Sequence, residues 1–195
     1  MRVFFVTKNE RKWEECEAIV AKLKAGRDIE VLWGKYEIEE ILETDHDKLI
    51  REKALKAWEH VRAPVFVEHG GLQINYFNLL PGTLVQPFWR AMEQDLGAKI
   101  PPGVDRGAVS LRGACYCDGR TRKVFQVERK GVIAEQPRGS AGFHWDPLFI
   151  PDDQPDPSRP ARTYAEMTQE EKLSVSGSHE VIGALLDHLS PKKAG

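Results

Sequence analysis

The sequence predicts an α/β protein with a mainly parallel sheet covered by helices. Three observations carry that expectation: the apolar run RVFFVT at residues 2–7, an amphipathic helical pattern directly after it, and a second strand-then-helix unit leading into a third apolar run, PVFVE, at residues 64–68. A chain of 195 residues is long enough for one well-buried core with a smaller lobe, and no second independent domain is expected.

Asn9 is placed to cap the helix written by ERKWEECEAIVAKLKA, where Trp13, Cys16, Ile19, Val20 and Leu23 recur at three- and four-residue steps and give one apolar face. IEVLWGKYEI reads as the second strand. Asp45 or Asp47 opens the next amphipathic helix, KLIREKALKAWEHV, which must stop before Pro64 because the residue ahead of a proline disfavours helical angles. PVFVE then brings Glu68 and His69 together where the strand is expected to stop, before the Pro-Gly turn at residues 81–82. Further along, QPFWRAMEQDLGA is expected to be helical, and GAVSLRGACYCDG and KVFQVERKGVIAE to form two longer strands joined by DGRTR. PDDQPDPSRPAR is a proline-rich surface loop, HEVIGALLDHL a last helix with Val181, Leu185 and Leu189 on one face, and SPKKAG at residues 190–195 a frayed tail. There are no internal repeats.

With 28 basic and 30 acidic residues the formal net charge is −2, which gives no bulk electrostatic reason to bind nucleic acid or a membrane surface. Any phosphate recognition must be local. Three cysteines supply neither a disulfide framework nor zinc-ligand spacing, and Cys115 and Cys117 are expected to project to opposite sides of a strand and not to meet. MRVFFVT lacks a long apolar stretch and runs into a charged helix, so no signal peptide and no membrane span are expected, and a reducing cytoplasm is the expected location.

Three segments carry candidate chemistry. In VTKNERK, Thr7, Asn9 and Lys12 stand at a helix N-terminus, where backbone N–H groups and the positive end of the dipole suit a phosphate; taken alone, the segment reads as an ordinary capped helix. In GSAGFHWDPLFIP, small residues precede Phe143, Trp145 and Asp146, a pattern that suits stacking on a base and reading its edge, or equally an aromatic corner packed under a loop. In TYAEMTQEEKLSVSGSHE, Lys172 and His179 flank a Ser/Gly-rich bend.

Together, VTKNERKWEE, EIEEI, VFVEHGGL with LPG, GFHWDPLFIP, TYAEM, EEK and SH occur in an order and spacing that resembles the inosine triphosphate pyrophosphatase family, from Arg2 to about Leu189. The resemblance implies an elongated two-lobed α/β fold with a central mixed sheet flanked by helices, a second lobe at roughly residues 80–140, a purine nucleotide in the cleft between lobes, a homodimer, and Mg²⁺-dependent cleavage of ITP, dITP and XTP to monophosphate and pyrophosphate. By position, Thr7, Asn9 and Lys12 resemble the family's triphosphate-binding turn, Lys53 its helix lysine that also reaches phosphate, and Lys172 the lysine of its late EK motif. Phe143 matches the base-stacking aromatic, with Trp145 and Asp146 beside it. Glu40 and Glu68 match the metal-side carboxylates, and Ser178 and His179 the late SH pair.

The chain also departs from the family pattern at three places. Glu68 and His69 occupy the catalytic pair, but the resemblance implies a second carboxylate where His69 stands, and an imidazole is a poorer ligand for hard Mg²⁺. Glu180 stands where an arginine that reads the purine 6-oxo group is implied, and a carboxylate cannot donate to a carbonyl oxygen. His144 replaces a glycine and adds bulk beside the stacking aromatic. Two functional expectations follow. One is a nucleotide sensor or regulatory subunit that holds ITP or dITP, cleaves it weakly or not at all, and is read by a homodimer partner or a separate effector protein. The other is an active pyrophosphatase in which His69 works as a general base.

Overall fold

The computed structural model describes residues 1–142 and 144–191, with the side chain of Gln94 left aside. The expected stacking residue Phe143 and most of the expected frayed tail, residues 192–195, lie outside the described residues. The elements run β1 (Arg2–Val6), α1 (Glu10–Leu23), β2 (Glu30–Gly34), α2 (His46–Val61), β3 (Val65–Ile74), β4 (Pro81–Gly82), α3 (Val85–Met92), β5 (Gly107–Cys117), β6 (Arg122–Ile133), β7 (Phe149–Pro151), α4 (Gln169–Val175) and α5 (Ser178–Leu189). One seven-stranded sheet takes the order β2-β1-β3-β5-β6-β7, with β4 paired to β3. It is mixed: β1 is parallel to β2 and β3, whereas β3–β4 and β6–β7 are antiparallel. The parallel character expected from the first strand-helix units holds for β2, β1 and β3.

Two compact units make up the chain: Met1–His69 with Gly113–Val127 and Ser178–Gly195, and Gly70–Arg112 with Glu128–Gly177. In the first unit, Val6, Ile50, Ala54, Ala57, Val65 and Val67 pack with Cys115 and Cys117 into one buried cluster. The two cysteines thus share a face, contrary to the expectation, because residues i and i+2 of a strand point the same way; both are free thiols. The second unit is built on Leu72, Ile74, Ile133, Trp145, Leu148, Phe149 and Tyr164. There Arg106 donates to four carbonyl oxygens, those of Ile133, Ile100, Gly97 and Ala134, at 2.6–2.9 Å, and ties the segment ahead of β5 to the end of β6.

Three expected boundaries move. β3 does not stop at Glu68 and His69 but continues to Ile74, so the pair lies inside a strand. Gly70 and Gly71 resemble a break in the sequence and are instead places of close approach: a Cβ would lie 3.0 Å from the Arg112 guanidinium at Gly70, and 3.0 Å from the Gly82 carbonyl and the Leu111 side chain at Gly71. β2 ends at Gly34, short of the run read as strand, and residues 35–45 carry no regular structure before α2. The helix expected from QPFWRAMEQDLGA is α3 followed by a tighter turn, Glu93–Leu96, with the break at Glu93, whose φ is +45°.

Candidate functional site

The first unit brings together most of the polar residues singled out in the sequence. The turn from β1 into α1 is held by its own side chains: the Thr7 hydroxyl accepts from Asn9 N–H at 3.1 Å, and Asn9 Oδ1 accepts from Lys12 N–H at 3.2 Å, the N-cap bond that Asn provides to a helix. Trp33, stacked on Trp13 at 5.5 Å, donates its indole N–H to the Thr7 carbonyl at 2.8 Å. Thr7 and Asn9 therefore shape the turn and the start of the helix that carries Lys12. Lys12 Nζ meets the Glu68 carboxylate at 2.9 Å, with both side chains largely buried.

Lys53, two turns into α2, donates to Glu40 Oε1 at 2.7 Å and to the Glu68 carbonyl at 3.0 Å. Lys56, three residues on and so on the same helix face, binds the Glu39 carbonyl at 3.0 Å. The irregular segment before α2 is thereby pinned with Glu40, not Glu39, directed at Lys53. His69, 5% exposed, sets Nδ1 3.3 Å from the same Glu40 oxygen. The Glu40 carboxylate opposes its own burial with the His69 hydrogen bond and the Lys53 charge, which hold it well below the usual carboxylate range. An ionised Glu40 accepts, so His69 donates from Nδ1 and Nε2 is the basic nitrogen of its ring. Burial pushes the His69 pKa down, and the lysine charges add to that against Glu40, so the imidazole is neutral at neutral pH. Lys53 is pushed down by burial as well. Two ammonium groups face two carboxylates around a neutral ring, and the formal charges cancel.

His46 belongs to this group and escaped the sequence reading. At the first position of α2, directly after the Asp45 cap, its Nε2 lies 3.1 Å from the His69 carbonyl and its ring centroid 5.6 Å from that of His69. Its Nδ1 lies 2.9 Å from the Gln126 amide nitrogen on β6. Fixing Asp45 as the cap would have shown that the histidine opens a helix, but only the fold shows which strand it faces.

The second unit gathers Trp145, Asp146 and Lys172. Asp146 and Lys172, 1% and 6% exposed, form an ion pair at 2.9 Å. Gly142, at φ +78°, lies so close that a Cβ would collide with the Asp146 carboxylate. His144 adopts φ +52°, where a glycine carries no Cβ strain, and its ring stacks 5.7 Å from that of Trp145. The His144 ring lies against Trp145; Phe143, the expected neighbour of its bulk, is outside the described residues. Trp145 is buried, and its indole N–H has no hydrogen-bond partner among the described residues.

α4 carries Lys172. It begins with reciprocal bonds between Thr168 and Glu171, and the Glu171 carboxylate also takes the Arg162 guanidinium through two contacts of 2.8 and 3.2 Å. The Arg162 hydrogen bond and those of Thr168 hold the Glu171 pKa down to about 2. A depressed carboxylate pKa stabilises the fold above the ordinary value near 4.5, and that stabilisation is lost as pH falls toward about 2. Glu171→Gln should therefore lower the melting temperature at pH 7, and thermal melts of variant and wild type should converge as pH falls through that window.

Ser178 and His179 start α5, Ser178 buried and His179 half-buried, while Glu180 is exposed in the first turn, a position where an acidic side chain suits the helix dipole. The structure thus places Thr7, Asn9, Lys12, Glu40, Lys53, Glu68 and His69 in one cluster, Trp145, Asp146 and Lys172 in another, and Ser178 and His179 at a helix start.

A family model described as the Ham1 family matches residues 3–188. The chain belongs to the Ham1 family. Among relatives in this family, an inosine triphosphate pyrophosphatase of Aspergillus fumigatus is 30% identical over 95% of this chain and 92% of its own length. A dITP/XTP pyrophosphatase of Saccharolobus solfataricus is 31% identical over 88% of this chain and 85% of its own. The crystal structure of a nucleoside-triphosphatase, dITP/XTP pyrophosphatase, of Mycobacterium abscessus superposes with a TM-score of 0.70, at 26% identity, over 97% of this chain and 100% of that one. A HAM1 protein of Coxiella burnetii, 21% identical with a TM-score of 0.72, shares the fold.

Proposed function

We propose that the protein binds a deaminated purine nucleoside triphosphate of the ITP or dITP class and hydrolyses it weakly or not at all, so that the bound nucleotide acts as a signal. The observation that carries this reading is the neutral His69 against Glu40, at the strand position where the family resemblance implies a carboxylate. The phosphate-side residues are retained. Lys12 and Lys53 are each held by one carboxylate, ready to exchange that partner for phosphate oxygens. Trp145, Asp146 and Lys172 are the candidates for the base.

Among the described residues no group of three His, Cys, Asp or Glu side chains is arranged to hold a metal ion. Glu40 and Glu68 fit a more limited role: Mg²⁺ is commonly held by one or two carboxylates with substrate phosphates and water making up the rest, and the Glu40 carboxylate lies on Lys53 while the Glu68 carboxylate lies on Lys12. A bound Mg²⁺ would polarise the phosphoryl oxygens and acidify a coordinated water. The side chains do the rest: the two lysines draw the triphosphate in, and Glu40 fixes the His69 ring. A signal needs a reader, and the reading includes a homodimer partner or a separate effector protein that responds to the nucleotide-bound state.

One observation favours the second reading, an active pyrophosphatase. With Nδ1–H donated to Glu40 and the ring neutral at neutral pH, His69 Nε2 has the protonation state of a general base. Pyrophosphate release from ITP, dITP, XTP and ATP, measured with Mg²⁺ and Mn²⁺ against a heat-killed control, separates the two readings.

Lys12→Ala and Lys53→Ala should each weaken triphosphate binding by about 1.5–3 kcal/mol, the worth of a charge-assisted hydrogen bond. Isothermal titration with ITP checks this. Unchanged affinity in both variants would place the triphosphate elsewhere.

A further inference from the structure

We propose that His46 is a positioning residue for His69, holding the β3 main chain at the His69 carbonyl and thereby keeping the His69 ring against Glu40. The geometry fixes the direction of every bond. The His69 carbonyl can only accept, so His46 donates to it from Nε2, at 3.1 Å. His46 Nδ1 is then the acceptor, and the Gln126 amide supplies the matching N–H at 2.9 Å. Both ring nitrogens are used in one tautomer, and burial, which pushes the His46 pKa down, keeps the ring in that neutral form. The ring is fixed sterically as well, because Gly113 on β5 leaves room for it that a Cβ would take away. Elements α2, β3, β5 and β6 therefore meet at one imidazole.

What this holds in place is the adjoining chain of contacts. His69 donates to Glu40 at 3.3 Å, Glu40 accepts from Lys53 at 2.7 Å, Lys53 also binds the Glu68 carbonyl at 3.0 Å, and Glu68 pairs with Lys12 at 2.9 Å. A carbonyl shifted at residue 69 turns the ring that ends this chain. Histidine rings at functional centres take their tautomer and orientation from the hydrogen bonds around them, and here the second histidine acts through the backbone. The ligand-binding arm of the test rests on the function proposed above. The spectroscopic arm does not.

The experiment compares wild type, His46→Ala, His46→Gln and Gln126→Ala by imidazole ¹H–¹⁵N correlation spectra and by titration with ITP. Wild-type His69 should show a single Nδ1–H tautomer. His46→Ala should turn this into a tautomer mixture and weaken ITP binding at least fivefold. His46→Gln, whose amide N–H can reach the same carbonyl, should restore both, and Gln126→Ala should move both in the direction of His46→Ala but less far. An unchanged His69 tautomer in folded His46→Ala overturns the proposal, as does a His46→Gln variant that behaves like alanine. Should His46→Ala fail to fold, Gln126→Ala decides by the same two readouts. If wild type binds no ITP, the proposed function fails while the spectra still decide the role of His46.

Discussion

His69→Asp is expected to raise pyrophosphate release from ITP or dITP by about 10²-fold or more over wild type, the range that a positioned acid–base group contributes. The cluster has formal charges that cancel, with Lys12 and Lys53 opposite Glu68 and Glu40 around a neutral imidazole. An aspartate in that strand position adds one negative charge and two hard oxygens, which suit Mg²⁺ better than an imidazole nitrogen does. The contacts of Lys12 and Lys53 with the carboxylates do not involve residue 69, so triphosphate affinity should change less than turnover. Any nucleotide-dependent complex with a partner should also be shorter-lived in the variant. A variant that turns over no faster than wild type would show that His69 is not what limits hydrolysis.

Asp146→Ala should destabilise the protein by about 3–5 kcal/mol, because it leaves the Lys172 ammonium buried without its carboxylate. For a chain of this length that corresponds to a fall in melting temperature of about 6–20 °C. The double variant Asp146→Leu with Lys172→Met should lose less than Asp146→Ala alone, since replacing both members of a buried pair with apolar groups removes the desolvation cost together with the attraction. Equal losses in the two variants would mean that packing at these positions, rather than the charge pair, sets the stability. Either variant should bind ITP poorly if Asp146 and Lys172 take part in holding the nucleotide.

Elements set by local pattern were legible in the sequence. The Asn9 cap, the α2 start to within Asp45 or Asp47, the two long strands β5 and β6 and the proline-rich loop all follow from periodicity and end signals, which act over a few residues. The failures involve contacts distant in sequence. The strand expected to stop at Glu68 and His69 runs on because Gly70 and Gly71 admit Arg112, Leu111 and Gly82 at close range, whereas Glu40, named from the motif, is the glutamate that faces Lys53. The expectation that Cys115 and Cys117 face opposite sides is different in kind: residues i and i+2 of a strand share a face whatever the fold. His46 and Gln126 could not be found at all, because their partner is a backbone carbonyl and carries no side-chain signature. The phosphate-side and base-side candidates were named through the family's motifs, since a lysine on a helix and an aspartate after a tryptophan have no intrinsic mark of function.

The most direct test is isothermal titration of the wild-type protein with dITP in Mg²⁺, followed by chromatography of the nucleotide recovered from the cell. Saturable binding with dITP recovered intact is the predicted result. Conversion to dIMP and pyrophosphate at more than about 1 s⁻¹, within the ordinary enzyme range, would contradict it and make His69 a working base.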